Sequence, residues 1–560
     1  MKYPGKHISF LIFSLLLCHI TSAQIIQPRY WIEFTDKNDS PYSIDQPERF
    51  LSQRALARRT RQQISVTEED LPVNPQYLDS LEGLGLQFVN VSKWFNGASF
   101  SCEDTVLIDT LERISFVAGR PLLIRPIYTQ EKLVGNKFND IQEKYASSDT
   151  VDYGFSYRQT GMLKGDSLHN CGYEGQNILI TLLDAGFSNA DSISSLQHIY
   201  LDNRIIAMRD FVKDGQDIYD AHSHGTVVFS IIGGLIPSYL HGTATQADFA
   251  LVRTEEHSAS FNENIIEEYN WISGAEFADS LGTDIISSSL GYSLFDDPSQ
   301  DHSWEDMDGK TTPISIAATM AASKGILVVT SAGNSAGPPW FKITAPADAD
   351  SILAIGAVNS SEIITDFSSR GPSFDGRVKP DICAMGYKNI AQHPDGNLTY
   401  CTGTSCSAPV ISGLAACLWQ AHPEATNEQV IEAILKSSDR YLHPDSVYGY
   451  GIPDFSLADF ILTTLTRSNP PDLISFRLFP NPVSDHFNLE ILRNENASAK
   501  KCRISYIDLM GRIAMTEEVT LNDRYTMYQS PALHMLPTGI YLLRITYESL
   551  AYNVPFMKIR

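Results

Sequence analysis

Between residues 150 and 462 the chain returns repeatedly to short runs with almost no polar residue. Ile178-Leu179-Ile180-Thr181-Leu182-Leu183, Ile326 to Val329 and Ile352 to Val358 are such runs, and Asp284-Ile285-Ile286 leads into a serine stretch. A strand with one wet face alternates apolar and polar residues, whereas a strand apolar throughout is buried on both faces. Longer helix-compatible stretches separate the runs. That alternation predicts an α/β unit, a parallel sheet covered by helices on both faces. It also predicts where chemistry gathers, beyond the carboxyl ends of the strands.

The 560 residues exceed one ordinary domain. Residues 1–23 read as a signal peptide. Lys2 and Lys6 precede an apolar run, Ile8 to Cys18, that is too short to span a bilayer, and Thr21-Ser22-Ala23 offers a cleavage site. Residues 24–145 form a small unit with strand-like Tyr30–Phe34 and Leu86–Val91, a basic helix Glu48–Arg61, and a further short helix and strand over Leu107–Val117. Within the basic helix, Arg58-Arg59-Thr60-Arg61 reads as a solvated face, with a processing site as the alternative. Residues 463–475 are a linker by composition, through Asn469-Pro470-Pro471. Residues 476–560 carry strand runs separated by turn signals and predict a small β-sandwich. A net charge of −24 excludes the basic footprint of a nucleic-acid binder. Of eight cysteines one lies in the leader, and the odd number remaining, without a CxxC pair, suggests buried small hydrophobes rather than zinc ligands.

Four polar residues stand beside glycines at the predicted functional edge. Asp184 ends the run Ile178–Leu183 and precedes Ala185-Gly186. His224, in Ser223-His224-Gly225-Thr226, opens a helix-compatible run; His222 two residues earlier is a surface histidine. Asn334 follows Ala332-Gly333 after the run Ile326–Val329. Ser405 follows Gly403-Thr404 and leads into a helix whose Pro409 is placed in the first turn, where a missing N–H costs little. A helix N-terminus and a side-chain amide both suit a developing oxyanion. Each residue alone has an ordinary reading as a turn or cap. The chain order Asp, His, Ser is one of the orders in which a hydrolytic triad occurs.

From about Gly154 to Phe455 the chain resembles the subtilisin-like serine peptidases, a three-layer fold around a parallel sheet. The matching stretches are Leu183-Asp184-Ala185-Gly186, His224-Gly225-Thr226, Ser289-Leu290-Gly291, Ala332-Gly333-Asn334, Phe367 to Pro372, Lys379-Pro380-Asp381 and Gly403-Thr404-Ser405. The resemblance implies Ser405 as nucleophile, His224 as general base and acid, Asp184 as its orienter, and Asn334 with the Ser405 N–H as oxyanion donors. It implies that Ser289-Leu290-Gly291 pairs with an extended peptide or protein substrate. Ala332-Gly333 would line the specificity pocket and Thr344 its floor, favouring small or medium side chains before the scissile bond. Cys406 and Ser407 stand where Met and Ala are common. A nucleophilic role for Cys406 is disfavoured, since one residue turns the side chain about 100° around a helix. No cofactor is required for the chemistry. The family often binds calcium, but Asp296-Asp297 and the acidic Asp301–Asp308 form no ordered loop motif and read as solvated charge. The competing class, a binding protein on an inactive peptidase scaffold, is disfavoured by the complete residue set.

The unit over 24–145 resembles a subtilase propeptide, which assists folding and inhibits the site intramolecularly until cleaved between about 125 and 160. The end resembles a type IX secretion sorting domain, through Leu478-Phe479-Pro480-Asn481-Pro482, Ile507 to Arg512, Leu536 to Tyr541 and the basic Lys558-Ile559-Arg560. That implies engagement of the secretion machinery and a secreted or surface location reached through periplasm and outer membrane.

Overall fold

The computed structural model describes residues 27–125, 139–140, 151–213, 217–256, 263–466, 475–479, 483–484, 486–492, 500–508, 510–521, 525–530, 533–547 and 550–559. The expected signal peptide and the linker core Arg467–Asp472 lie outside the described residues, and the expected maturation region 125–160 lies largely outside them. Among the described residues, seven parallel strands form the central sheet. In spatial order they are Ile382–Met385, Leu353–Val358, Leu327–Ser331, Ile285–Ser288, Leu179–Asp184, Asp248–Arg253 and Ile205–Asp210. The apolar runs are these strands, and five of the seven are buried at every position. Helices Thr404–Ala421 and His224–Gly233 pack on one face with Ile180, Leu182, Val329 and Ile355. Helices Ile266–Leu281 and Pro313–Ser323 pack on the other with Leu183, Ile286 and Val328. Side chains thus leave alternate faces of each strand into two separate cores, which is why the strands show no polar face.

The amino-terminal unit is an antiparallel four-stranded sheet ordered Gln87–Ser92, Gly97–Ser101, Arg29–Glu33, Leu122–Arg125. Its helices Gln53–Gln62 and Pro75–Gly83 are each capped by a side chain, Ser52 and Asn74, that accepts a first-turn N–H. The helix expected from Glu48 begins at Gln53, after a single turn at Pro47–Arg49. The segment Leu107–Val117 holds short helical turns rather than a strand.

The reading of Arg58–Arg61 as a solvated face is overturned for its first two residues. Arg58 and Arg59 are each 1% exposed and grip Asp279 of the helix Ile266–Leu281, at 2.6 and 2.9 Å, while Lys93 reaches the same carboxylate at 2.9 Å. Burial alone would raise the Asp279 carboxyl, but Lys93, Arg58 and Arg59 together hold it well below the ordinary carboxylate range. Glu276, one helical turn earlier, accepts the backbone N–H groups of Lys93 at 2.7 Å and Trp94 at 3.0 Å. The amino-terminal unit is therefore locked to the larger one through charges that water does not reach.

The carboxy-terminal unit has two sheets, Ser475–Phe479 with Asn488–Leu492 and Tyr525–Gln529, and Ile513–Leu521 with Lys500–Asp508, Gly539–Tyr547 and Leu550–Lys558. They share a core that includes Phe487, Leu489, Tyr506, Leu543 and Phe556.

Candidate active site

Because the strands are parallel, their carboxyl ends share one edge. Asp184 is the last residue of its strand and is 1% exposed. Its Oδ1 accepts the Ala185 N–H at 2.8 Å, which fixes the carboxylate plane. His224 is the first residue of its helix, and its Nδ1 lies 2.8 Å from Asp184 Oδ1 and 3.1 Å from Oδ2. An ionised carboxylate only accepts, so Nδ1 carries the hydrogen and Nε2 keeps its lone pair. His222, set aside as a surface residue, accepts the His224 N–H through its own Nδ1 at 3.2 Å.

Two strands away, Asn334 follows the strand Leu327–Ser331. Its Oδ1 accepts from the Thr404 N–H at 2.8 Å and from Thr404 Oγ1 at 3.0 Å. With the oxygen committed, the amide nitrogen Nδ2 lies along the turn at Gly403. A Cβ built on Gly403, whose φ is +149°, would stand 2.9 Å from Ser405 Oγ and 3.3 Å from Asn334 Nδ2. The glycine is thus required by the closeness of the two groups as well as by its backbone angle. The helices opened by His224 and Thr404 pack on each other, and the Thr404 helix crosses the strands ending at Ser288 and Ser331. Both pairs of residues therefore sit on one edge.

Pro409 is not in the first turn, because the helix already begins at Thr404. A proline there has no N–H for the carbonyl four residues back, which is that of Ser405. Ser289 Oγ donates to this carbonyl at 2.9 Å instead. Ser289 thus holds the nucleophile's own peptide unit. Leu290 is buried, its carbonyl accepts from Ser331 Oγ at 3.3 Å, and Gly291 is exposed. Thr344 stands between the two glycine segments, its Oγ1 2.3 Å from a Cβ built on Gly291 and 2.8 Å from one built on Gly333. Its hydroxyl is buried and has no hydrogen-bond partner. Ala332 is fully buried and receives the Thr344 N–H on its carbonyl at 3.2 Å.

Two features escaped the sequence reading. Cys406 is not simply a buried hydrophobe: it forms a disulfide with Cys401, five residues earlier, so the turn bearing Ser405 is covalently closed. Most of the other cysteines are buried as expected, Cys102, Cys383, Cys417 and Cys502, and Cys171 is exposed. The second is Glu255, whose carboxyl lies in the electrostatic field of Asp184 and His224. Burial, followed by the negative charges of Glu263 and Asp184, pushes it up to about 7. Its position two residues past the end of the strand Asp248–Arg253 was the available signal. The acidic stretches near 296–308 instead cap local turns; Asp301 accepts the Phe295 N–H and Asp308 those of Lys310 and Thr311. Among the described residues no group of three or more His, Cys, Asp or Glu is arranged to hold a metal ion, and no helix is long and apolar enough to cross a membrane.

Residues 175–451 match the subtilase family, peptidase S8. Residues 29–137 match the S8 propeptide domain of Bacteroidota, and residues 477–556 a secretion system C-terminal sorting domain. The sorting domain marks the protein for type IX secretion to the cell surface or the extracellular space. Subtilisin from Bacillus pumilus is 30% identical over 309 residues, 54% of this chain and 96% of that protein. Subtilisin E from Bacillus subtilis (strain 168) is 31% identical over 318 residues, 56% of this chain and 71% of that protein. Identity at that level, sustained over most of an enzyme's length, leaves one assignment: the chain belongs to the subtilase family and is a serine-type endopeptidase.

Proposed function

We propose that Ser405, His224 and Asp184 form the catalytic triad and that Asn334 supplies the side-chain donor of the oxyanion site. The observation that carries this reading is the Asp184–His224 hydrogen bond at 2.8 Å, which leaves Nε2 as the base. Ser405 Oγ attacks the scissile carbonyl while Nε2 takes its proton; the new imidazolium is stabilised by Asp184. The tetrahedral oxyanion receives Asn334 Nδ2–H and the Ser405 backbone N–H, at the start of a helix whose dipole favours negative charge. Nε2 then protonates the leaving amine, the C–N bond breaks, and water hydrolyses the acyl-enzyme by the same route. The chemistry uses no cofactor. Ser289-Leu290-Gly291 and Ala332-Gly333 flank the substrate, and Thr344 narrows the pocket so that small or medium side chains fit before the scissile bond.

The unit over 24–145 acts as an intramolecular inhibitor and folding assistant, and the end over 476–560 engages the secretion machinery. Two pieces of the precursor already touch the peptidase near this site. Arg125 pairs with Glu256 at 3.1 Å, and Asn139–Asp140 pair in antiparallel register with Tyr400 and Thr399, just before Cys401. Intact mass of the secreted protein, wild type beside Ser405→Ala, with and without an organophosphonate, tests the reading. Wild type sheds its propeptide and gains one phosphonate on Ser405, whereas Ser405→Ala does neither. Labelling of the variant, or none in matured wild type, overturns the assignment of Ser405.

A further inference from the structure

The helix His224–Gly233 begins at the residue assigned as base, so its first backbone N–H groups have no acceptor inside the helix. Ser223, in the capping position, makes no side-chain bond to them. The Gly225 N–H goes to the Gly186 carbonyl at 3.0 Å. The His224 N–H goes to a ring, His222 Nδ1, at 3.2 Å. The two peptide units that flank the His224 side chain are thus anchored separately, one by the turn that follows Asp184 and one by a second imidazole.

The same turn fixes His222. The Ser188 N–H donates to the His222 carbonyl at 3.2 Å, and a Cβ on Gly186, whose φ is +148°, would collide with the His222 backbone nitrogen. The two imidazole rings lie 6.5 Å apart between centroids, 26° from parallel. A nitrogen that accepts bears no hydrogen, so the neutral His222 ring carries its hydrogen on Nε2. A protonated ring has a hydrogen on both nitrogens and accepts nothing. Protonation of His222 therefore acts on His224 twice. It removes the acceptor of the first helical N–H. It also sets a positive charge 6.5 Å from the imidazole that must itself become positive when it takes the Ser405 proton. Like charges at that separation shift such an equilibrium by roughly tenfold.

We propose that His222 is a positioning residue for His224: neutral, it holds the backbone of the base and leaves its imidazolium unopposed; protonated, it does neither. The inference rests on the triad reading and adds a second titrating histidine to it. Two protons rather than one then separate the working enzyme from its inactive acid form. The other titratable and charged groups on the elements around this turn are Asp184, Asp217 and Asp220, Arg253 paired with Asp210 at 3.1 Å, and Glu255. Of these, Glu255, pushed up to about 7 by burial and its acidic neighbours, titrates in the same range and is the rival source of a second proton.

The test is the acid limb of the pH–rate profile of matured enzyme on an uncharged peptide substrate, each sample being returned to pH 8 to exclude irreversible loss. In wild type, log kcat/KM falls with a slope that steepens from one toward two. His222→Asn keeps an acceptor that does not titrate, the amide Oδ1, and its slope stays at one. His222→Leu has no acceptor; its kcat at pH 8 is about tenfold lower with KM little changed, and the asparagine variant regains most of that loss. Should the leucine variant not mature, wild type against His222→Asn decides alone. A wild-type slope of one to the acid end overturns the proposal and leaves the triad standing. A slope near two that persists in His222→Asn overturns it as well and gives the second proton to Glu255. Equal kcat in the leucine and asparagine variants overturns the holding role. Turnover by Ser405→Ala at the wild-type rate overturns the triad reading instead.

Discussion

The Ser405 carbonyl is buried, cannot reach a backbone donor four residues on, and takes its hydrogen bond from Ser289 Oγ at 2.9 Å. Ser289→Ala removes that donor and leaves a buried acceptor unsatisfied, a loss of about 1–3 kcal/mol. Pro409→Ala creates an N–H in the position from which an uninterrupted helix would serve the same carbonyl. In that background Ser289→Ala loses a redundant donor and costs roughly 0.5 kcal/mol, so the two substitutions couple by about 1 kcal/mol or more. Proline's effect on the unfolded chain cancels around the double-mutant cycle. The assay is thermal unfolding of four matured proteins inactivated with a sulfonyl fluoride, which prevents self-digestion. At roughly 2–4 °C per kcal/mol for a domain approaching this size, Ser289→Ala alone lowers Tm by several degrees, and in the Pro409→Ala background by a degree or two. Additivity within about 0.5 kcal/mol refutes the argument, because it means the carbonyl is satisfied by neither donor or by a third.

Asn334→Ala lowers kcat by about 10²–10³-fold with little change in KM, read by steady-state kinetics, since its amide acts on charge that exists only in the transition state. Thr344→Gly empties the space between Gly291 and Gly333 and raises kcat/KM for a phenylalanine before the scissile bond by roughly tenfold relative to alanine, measured on paired peptides. Asp279→Asn leaves Arg58 and Lys93 buried without that counter-charge and Arg59 with Asp70 alone; the loss of about 3–5 kcal/mol appears as faster departure of the cleaved propeptide, followed by size exclusion after maturation.

What the sequence disclosed follows from how local its signals are. An almost wholly apolar run such as Ile178–Leu183 announces two-sided burial within its own six residues, and Gly403-Thr404-Ser405 announces a tight turn within three. Both features stand where expected. Arg58 and Arg59 misled because a basic helix reads as solvated until its partner is known, and Asp279 lies some 220 residues away. Pro409 was misplaced by about one turn, because the helix start depends on Asn334, 70 residues away, taking the Thr404 N–H rather than on a capping side chain next to the helix. Glu255 was passed over for a similar reason. A glutamate after a strand looks like surface until the neighbouring helix closes over it. The disulfide joins two cysteines whose spacing carries no motif; geometry, not sequence separation, decides whether such a pair can close.

The Cys401–Cys406 bond makes the nucleophile a member of a six-residue ring, and both sulfurs lie under the surface, Cys401 at 2% and Cys406 at 1% exposure. Small thiols cannot reach such a bond in the folded enzyme, so its state is set once, while the chain folds, and is afterwards insulated from the medium. In a reducing cytosol the ring stays open; it closes in the oxidising compartment that an exported chain enters. The turn that presents Ser405 is therefore completed by the journey itself. Any molecule that folds prematurely inside the cell keeps a thiol beside its serine as a lasting mark of where it folded.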